Sequence, residues 1–361
     1  MASLLGRREP KFPWIAVRRA LLVGAAVGFV AAGSSLLASA RAVARTPGVV
    51  SGVLSGAPSG QLAAMLDGHA GPVSSVAFSR SGGTLATATE NGTVQVWDVR
   101  SGTLVKTLRG LTGIVDSVAF NPSSRTVAAG GRDGTVMLWN LARRAGPGVA
   151  LKARAGSVYS VSFSPDGRTL AAASANGTIA LWDVRRHTRL GTLTNHAGAV
   201  TSVAFRPRGS TLAAADINGT VVLWDAHTRQ RLGKPLRTHH LVSSVAFSPN
   251  GRTLAAANGD NATVTLWDVQ THHLVATLRT GDRGPVNSVA FSPQGDTLAT
   301  GSENGTVQLW DARSHALLNT LTIGPGQVFS VALSPDGRFL AAAGFTGTIS
   351  VWQTGVLGAP R

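Results

Sequence analysis

The sequence of 361 residues contains no cysteine, which excludes disulfide scaffolds, thiol catalysis and zinc sites with cysteine ligands. Charged residues amount to only 14% and hydrophobic residues to 43%, so the chain is too apolar and too weakly charged to be disordered. The 33 lysines and arginines outnumber the 17 acidic residues and give a formal net charge of +16. Such an excess, if evenly spread, indicates nonspecific attraction to nucleic acid or anionic surfaces and not a particular fold, so the position of the charges matters more than their sum. The composition therefore predicts a globular chain with a large core.

Motifs for common enzyme chemistry are also missing. The sequence has no phosphate-binding loop, zinc-protease helix, nucleophile elbow or dinucleotide fingerprint. Two histidine pairs, His239-His240 and His272-His273, are candidate metal ligands. However, neighbouring residues of a strand point to opposite faces, and neither pair has a third ligand at a useful spacing. We therefore predict no catalytic residue, no metal site and no cofactor.

An uncharged stretch near the amino terminus is long enough to cross a membrane. Residues 20–40 are 21 positions without a charge, and a helix of that length spans ~30 Å of hydrocarbon. Residues 1–19 are basic, so the positive-inside bias predicts a single-pass protein with a cytoplasmic amino terminus and the rest outside. The alternative is a secretory signal cleaved after Ala40, because Ala38-Ser39-Ala40 has the form that signal peptidase accepts. Either way the bulk of the chain is exported, after a flexible linker over 41–59.

Small residues recur within this apolar segment. Gly24, Gly28 and Ala32 have a small-xxx-small spacing, which lets two membrane helices approach closely and predicts weak self-association. The alternative is that Gly and Ala are simply common in this stretch.

Tryptophan marks an internal repeat in the remainder of the chain. Its positions are separated by 42 or 43 residues, and a fixed period of this length is typical of a repeat architecture. Within each unit a V-x-S-V strand, a polar turn, a second strand, an Asn-Gly or related turn and a third strand follow one another. An Asn-Gly pair such as Asn91-Gly92 favours a type I′ hairpin turn. The seven repeated residues are Trp97, Trp139, Trp182, Trp224, Trp267, Trp310 and Trp352.

Both ends of the repeat are similar to the WD-repeat family. Gly68-His69 opens a unit and Trp97-Asp98 closes it, and the resemblance extends over about 58–353. The resemblance implies an all-β fold, a seven-bladed WD-repeat β-propeller over 60–353. The uncharged stretch described above adds one amino-terminal transmembrane or signal helix before it. The resemblance also implies that the strand at 61–66 closes blade seven, because the sequence repeat is offset from the blade. Residues 354–361 then form a short tail.

The same resemblance implies a buried hydrogen-bonded set in each blade: a turn Asp, a His, a strand Ser or Thr, and the repeated Trp. This chain keeps the His at His69, His196 and His239 and the turn Asp at Asp133. In the four blades that lack the His we expect the indole N–H to bond to backbone or water instead.

The x residue of each V-x-S-V strand differs between repeats. In WD-repeat proteins this ring surrounds the mouth of the channel, where partner peptides dock. Tyr159 and Phe329 are large, rigid anchors of the kind found in interface hot spots, and Asp116 suits an Arg or Lys of a ligand. The alternative is that seven unlike residues merely fill a solvated channel mouth. The seven predicted partner-binding residues are Ser74, Asp116, Tyr159, Thr201, Ser243, Asn287 and Phe329.

The loop layout of the WD-repeat family implies that many of the arginines lie in the turns of the opposite rim. They predict a surface for anionic lipid, cell-wall polymer or nucleic acid, and export argues against nucleic acid. The alternative is a solvated face that keeps the protein soluble. These positions are Arg80, Arg100, Arg125, Arg143, Arg144, Arg168, Arg185, Arg186, Arg189, Arg206, Arg208, Arg229, Arg231, Arg252, Arg313 and Arg338.

Taken together, these patterns predict a noncatalytic scaffold that binds a protein or peptide partner and lies outside a membrane. The alternative function is a propeller enzyme or small-ligand sensor that uses the central channel. A metal or a cluster of convergent carboxylates in the channel would favour that alternative, and the sequence offers Asp116 alone there.

Overall fold

The computed structural model describes residues 62–69, 71–143, 147–153, 156–194, 196–281 and 284–354. Within these residues no helix has the length and apolar character needed to cross a membrane. The predicted segment at 20–40, with Gly24 and Gly28, and the linker at 41–59 lie outside the described part of the chain.

Each repeat forms four strands because its apolar, β-favouring segments are separated by turns that contain Gly, Pro or Asn. The V-x-S-V strands are β2 (Val73–Phe78), β6 (Val115–Phe120), β10 (Val158–Phe163), β14 (Val200–Phe205), β18 (Val242–Phe247), β22 (Val286–Phe291) and β26 (Val328–Leu333). The second strands are β3 (Thr84–Thr89), β7 (Thr126–Gly131), β11 (Thr169–Ser174), β15 (Thr211–Asp216), β19 (Thr253–Asn258), β23 (Thr297–Ser302) and β27 (Phe339–Gly344).

The third strand of each repeat ends at or next to the repeated tryptophan, and a fourth strand follows it. The third strands are β4 (Val94–Asp98), β8 (Thr135–Asn140), β12 (Ile179–Asp183), β16 (Thr220–Asp225), β20 (Thr263–Asp268), β24 (Thr306–Asp311) and β28 (Ile349–Gln353). The fourth strands are β5 (Leu104–Leu108), β9 (Val149–Lys152), β13 (Thr188–Leu193), β17 (Leu236–Arg237), β21 (Leu274–Arg279), β25 (Leu317–Thr322) and β1 (Leu62–Leu66).

The strands form seven four-stranded antiparallel sheets, the blades of a propeller. Six blades use four consecutive strands, from β2–β5 in blade one to β22–β25 in blade six. Blade seven has the order β26, β27, β28, β1, so the first strand of the described chain is the outer strand of the last blade. The first strands of neighbouring blades contact each other around the whole ring, including β2 with β26. The prediction of an all-β, seven-bladed propeller is therefore confirmed.

The up-and-down strand order places the connections on two faces. The lower face contains the turns between first and second strands and between third and fourth strands. The upper face contains the turns between second and third strands and the connections from one blade to the next. Neighbouring turns of the lower face bond to each other: the Arg80 N–H donates to Ser124 Oγ, and Asn121 Nδ2 donates to the Gly167 carbonyl.

The core lies between adjacent blades. Second and third strands are covered on both sides, so they read as continuous apolar runs and not as an alternating pattern. In β11, for example, the residues from Leu170 to Ala173 are fully buried. Alanine is frequent here because small side chains let neighbouring sheets approach closely.

The turns at Asn-Gly differ from the predicted type I′ geometry. Gly92 has a φ of +89°, but no asparagine is among the non-glycine residues of the described chain that have positive φ. The Gly92 N–H donates to the Thr89 carbonyl, and the Thr93 N–H donates to Asn91 Oδ1 at 3.1 Å. This is a type I turn followed by a left-handed glycine. The prediction of type I′ is wrong because three residues, and not two, separate Thr89 from Thr93, whose backbones bond across the turn, and a three-residue hairpin loop has a type I turn followed by a left-handed residue.

A ring of side-chain hydrogen bonds joins the blades. The Ser of each V-x-S-V strand accepts a bond from the backbone N–H of the second Val in an adjacent blade, over 3.1 to 3.4 Å. All seven blade junctions have this bond. The bonds run to Ser75 from Val118, to Ser117 from Val161, to Ser160 from Val203, to Ser202 from Val245, to Ser244 from Val289, to Ser288 from Val331 and to Ser330 from Val76.

Candidate functional site

Four of the seven predicted partner-binding residues hold neighbouring blades together. Ser74, Thr201 and Ser243 donate their hydroxyl, and Asn287 its amide, to the carbonyl of the first Val of the following blade. The Asn287 bond to Val328 measures 3.0 Å. Ser74 and Thr201 are buried as well. The structure gives these four side chains a role within the ring, and their contact with a partner stays a prediction.

Phe329 is also more enclosed than an open channel mouth suggests, since it is 8% exposed. An aromatic side chain that the sequence analysis did not select, Phe345, is 43% exposed on the upper face of the same blade. It occupies the first turn position after the second strand, where other blades have residues as different as Glu90 and Arg132. Variation at this turn position is the signal that could have identified it.

Asp116 and Tyr159 lie in a charged cluster that includes two residues missed by the sequence analysis, Arg132 and Glu90. Arg132 Nε donates to Asp116 Oδ2 at 2.9 Å, and its Nη2 donates to Oδ1 at 3.2 Å, which is a bidentate pair. The Asp116 side chain is 7% exposed and that of Arg132 is 21% exposed. Glu90 comes from blade one, Asp116 and Arg132 from blade two and Tyr159 from blade three. We call these four residues the mouth cluster.

The electrostatics of the mouth cluster fix the protonation of its members. Burial, and next the negative charge of Asp116, raise the pKa of Tyr159 above its ordinary value, so the phenol is protonated at neutral pH. Burial opposes the charge of Arg132, but the attraction and hydrogen bond of Asp116 outweigh it and raise the pKa of Arg132. The cluster is therefore a fixed ion pair beside a phenol that can both donate and accept hydrogen bonds.

Blade one contains part of the buried set that the resemblance implies. His69 Nε2 and Thr87 Oγ1 are 2.8 Å apart, and the Trp97 indole N–H donates to the same oxygen at 3.3 Å. The rings of His69 and Trp97 have centroids 5.1 Å apart. Burial lowers the pKa of His69 from 6.5 to about 4, although the charge of Asp67 opposes the shift. His69 is therefore neutral near pH 7.

In blade four, His196 bonds to an acid that the sequence analysis did not select. Its Nδ1 lies 2.9 Å from Asp216 Oδ2, and the two side chains are 0% and 1% exposed. Asp216 Oδ1 also accepts the N–H groups of Asn218 and Thr220, at 3.0 Å each. The family pattern expects the acid at a turn position, whereas Asp216 is the last residue of its second strand. For this reason the sequence did not predict it.

His239 and Asp133 do not sit in such buried sets. His239 is exposed and has a left-handed φ of +62°, while its neighbour Thr238 is the buried residue that bonds to the Gly219 carbonyl. The assignment of a buried structural role to His239 is therefore corrected. Asp133 is exposed and accepts bonds from the backbone N–H and the hydroxyl of Thr112, which links two turns of the upper face.

The repeated tryptophans find different partners. Trp139 donates to the Arg109 carbonyl at 3.1 Å, Trp267 donates to Thr265 Oγ1 at 3.0 Å and Trp310 donates to Thr300 Oγ1 at 3.2 Å. Trp182 and Trp224 have no partner for the indole nitrogen among the described residues. Trp352 is buried at 5% exposure, and its backbone pairs β28 with β1.

The described residues offer no grouping of three or more His, Cys, Asp or Glu side chains that could hold a metal ion. His240 pairs with Asp260 at 3.2 Å at the surface, and His272 Nδ1 bonds to the Lys234 carbonyl. A pocket of about 460 Å³ opens between blades five and six on the lower face. Its acids Asp296 and Asp311 are bonded to their own turns, through Ser292 and Ser314.

The predicted arginines lie on the lower face, with two exceptions. Arg189 reaches along the Trp182 ring, 5.8 Å from its centroid, and donates to the Ala153 carbonyl, while Arg144 lies outside the described residues. The described basic residues of this face are Arg80, Arg100, Arg125, Arg143, Arg168, Arg185, Arg186, Arg206, Arg208, Arg229, Arg231, Lys234, Arg252, Arg313 and Arg338. Its acids are Asp98, Asp166, Asp183, Asp225, Asp268, Asp296, Asp311 and Asp336.

The upper face has the opposite balance. Its described basic residues are Arg109, Arg132, Lys152, Arg237 and Arg279. Its acids are Asp67, Glu90, Asp116, Asp133, Asp216, Asp260 and Glu303.

Exposed large hydrophobic residues form a rim beside the lower face. They lie in the outer edge of the blades, at the start of the fourth strands or just before them, and we call them the apolar rim. They are Leu104, Val105, Val149, Leu190, Leu232, Leu274, Val275, Leu317 and Leu318.

A closed ring of seven four-stranded sheets, each ending its third strand near a buried tryptophan, defines a WD-repeat-like β-propeller. The family model described as IFT122 first beta-propeller matches residues 72–353, and the chain belongs to this family. No curated protein matches the chain.

Proposed function

We propose that the protein is a noncatalytic interaction scaffold that binds a protein or peptide partner through the mouth cluster. Propeller domains of this kind are typical of protein-interaction scaffolds, and the family match supports the general assignment. The observation that carries the particular site is the bidentate Arg132–Asp116 pair beside Tyr159. Tyr and Arg are enriched in interface hot spots, and here the Arg is held in place by its ion pair before a partner arrives.

The mouth cluster suits binding better than catalysis. The phenol of Tyr159 is protonated at neutral pH, and its raised pKa reduces the fraction of phenolate further, so little is available as a nucleophile or base. The Asp116 carboxylate already accepts both arms of the Arg132 fork. The partner we expect offers a backbone or side-chain polar group to the phenol and an apolar group to its ring.

A crosslinked pull-down from membranes of the source cell tests this site. The test variant combines Arg132→Gln with Tyr159→Ala, and the control is Thr346→Ala, an exposed turn position on the upper face of blade seven that lies outside the mouth cluster. We expect the test variant to lose its partner and the control to keep it, at a temperature at which thermal unfolding shows both proteins to be folded. Equal capture by all three proteins would refute the site.

We also propose that residues 20–40 anchor the protein in a membrane, with the propeller on the outer side. The support is the uncharged length of that segment and the basic residues that precede it. Protease added to intact cells should then cut the propeller while the cytoplasmic residues 1–19 stay protected. Extraction of the full-length chain by carbonate would contradict the anchor. A propeller that is cut only after lysis would contradict the orientation.

A further inference from the structure

The two faces of the propeller differ strongly in charge. The lower face carries fifteen described basic residues against eight acidic ones, a net charge of +7. The upper face carries five against seven, a net charge of −2. Blades three and four concentrate the excess, with exposed Arg185, Arg208 and Arg231 among their members. A molecule with this distribution is oriented by any anionic surface that it meets.

The acids of the lower face are largely engaged in their own turns. Asp183 accepts the backbone N–H groups of Arg185 and Arg186, and Asp268 does the same in its turn for Gln270 and Thr271. These bonds lower the pKa of both carboxyl groups. Among the described residues of this face, ion pairs join Arg186 to Asp183 and Arg338 to Asp336. Most of the arginines therefore keep their charge available for a ligand.

The apolar rim favours one class of anionic ligand over the others. Leu274 and Val275 in blade five are 51% and 52% exposed, and Leu317 in blade six is 48% exposed. These residues begin their strands, so they lie within about two residues, or roughly 7 Å, of the lower face. Nucleic acid and acidic peptides gain little from aliphatic side chains at this position. A lipid surface can accommodate both features. A docked face enters the headgroup boundary by roughly 5–10 Å in interfacial proteins, which is enough to bring a rim about 7 Å behind the arginine turns to that boundary.

The path of the chain agrees with this orientation. Leu62 pairs with Trp352 at the lower end of blade seven, so β1 begins at the lower face. The segment at 20–40 precedes β1 in the sequence.

We propose that the lower face of the propeller docks on an anionic lipid bilayer, with the arginines on the headgroups and the apolar rim at their boundary. This inference rests on the proposed membrane anchor for its tether, and it leaves the upper face with the mouth cluster turned toward partners.

The absence of cysteine makes a direct test practical, because one introduced cysteine takes a fluorophore at a single site. Gln230→Cys labels the lower face and Thr346→Cys labels the upper face, both at exposed turn positions. The full-length chain is reconstituted into vesicles of phosphatidylcholine, with or without phosphatidylglycerol, that contain an acceptor lipid. We expect energy transfer from position 230 to rise in the phosphatidylglycerol vesicles and transfer from position 346 to stay low. The rise should fade with salt, since the screening length falls from ~10 Å at 0.1 M to ~3 Å at 1 M.

Two triple variants distinguish the effect of charge on the lower face from the effect of the net charge of the whole protein. Arg185→Gln, Arg208→Gln and Arg231→Gln neutralise the lower face, while Arg109→Gln, Arg237→Gln and Arg279→Gln remove the same charge from the upper face. Each basic side chain near an anionic surface contributes about fivefold, so the first triple should lower the ratio of docked to undocked propeller on the order of a hundredfold. The second triple should leave that ratio nearly unchanged. Equal loss in both triples, or equal transfer from positions 230 and 346, would overturn the proposal.

The outcomes also separate this inference from the anchor. If the chain fails to insert into phosphatidylcholine vesicles, the anchor is refuted, and the same labels on protein added to preformed vesicles still test the face. A label at position 230 can also report nucleic acid. If its fluorescence changes when duplex DNA is added, while its energy transfer does not rise with phosphatidylglycerol, the ligand is a nucleic acid and the lipid proposal is wrong.

Discussion

The backbone N–H of Val76 donates to Ser330 Oγ over 3.2 Å, although the two residues are 254 positions apart. This bond joins blade seven to blade one and completes the set of seven junctions. Because the ring has no free end at this point, the blades are expected to unfold as one cooperative unit.

Replacing Ser330 by Ala should therefore destabilise the whole propeller. The change leaves the Val76 N–H without its acceptor, which costs roughly 1–3 kcal/mol. Ser244→Ala is the matched comparison, because its bond from Val289 is longer, at 3.4 Å, and should cost less. Urea unfolding measures both, with one transition and an unchanged slope expected for each variant. A separate early transition in Ser330→Ala would show that the ring does not unfold as a unit.

Loss of Asp216 should be far more costly than loss of a surface acid. Asp216→Ala removes the partner of buried His196 and the acceptor of two backbone N–H groups, so we expect a loss of about 3–5 kcal/mol. Asp260→Ala removes the partner of His240 in a pair that is 43% and 47% exposed, with an expected loss of roughly 0–1 kcal/mol. Denaturant unfolding of both variants decides the comparison. Similar decreases in the free energy of unfolding for the two variants would show that burial of the His196–Asp216 pair contributes little to stability.

The low pKa of His69 makes stability depend on pH. The unfolded chain takes up a proton near 6.5 and the folded protein near 4, so the unfolded state binds more protons in this window. Stability from this residue is complete above pH 6.5 and is lost as the pH falls to 4, up to about 3 kcal/mol. His69→Gln should make the free energy of unfolding less dependent on pH between pH 4 and 6.5 only. Identical pH profiles for both proteins would contradict the assignment.

The single tyrosine of the chain gives a direct reading of the mouth cluster. The phenolate absorbance reports Tyr159 alone, and burial together with Asp116 places its pKa above the ordinary value. Asp116→Asn removes the nearby negative charge and should lower that pKa toward the ordinary value. Asp133→Asn removes an acid from an exposed turn of the same blade and should leave the titration unchanged. A titration that is the same in all three proteins would show that Asp116 does not face the phenol.

Local patterns predicted the seven units well, because a strand, a turn and a repeated tryptophan are short-range features. The same patterns were less successful at the turns. The type I′ geometry predicted for Asn91-Gly92 is a type I turn with a left-handed glycine in the structure, because the loop has three residues and not two. They were least successful where a residue acts through another blade. Ser74 and Asn287 look like free polar positions in the sequence, yet both bond to the following blade.

The sequence by itself determined the number of repeats, the succession of strands within each repeat and the concentration of arginine in particular turns, since these properties depend on spacing along the chain. Only the tertiary structure decided which side chains meet across blades. It paired Arg132 with Asp116 beside Tyr159 and His196 with Asp216. The physical reason is that ring closure brings each inner strand against a neighbour about 43 residues away, and whether a polar group is exposed or bonded depends on that neighbour.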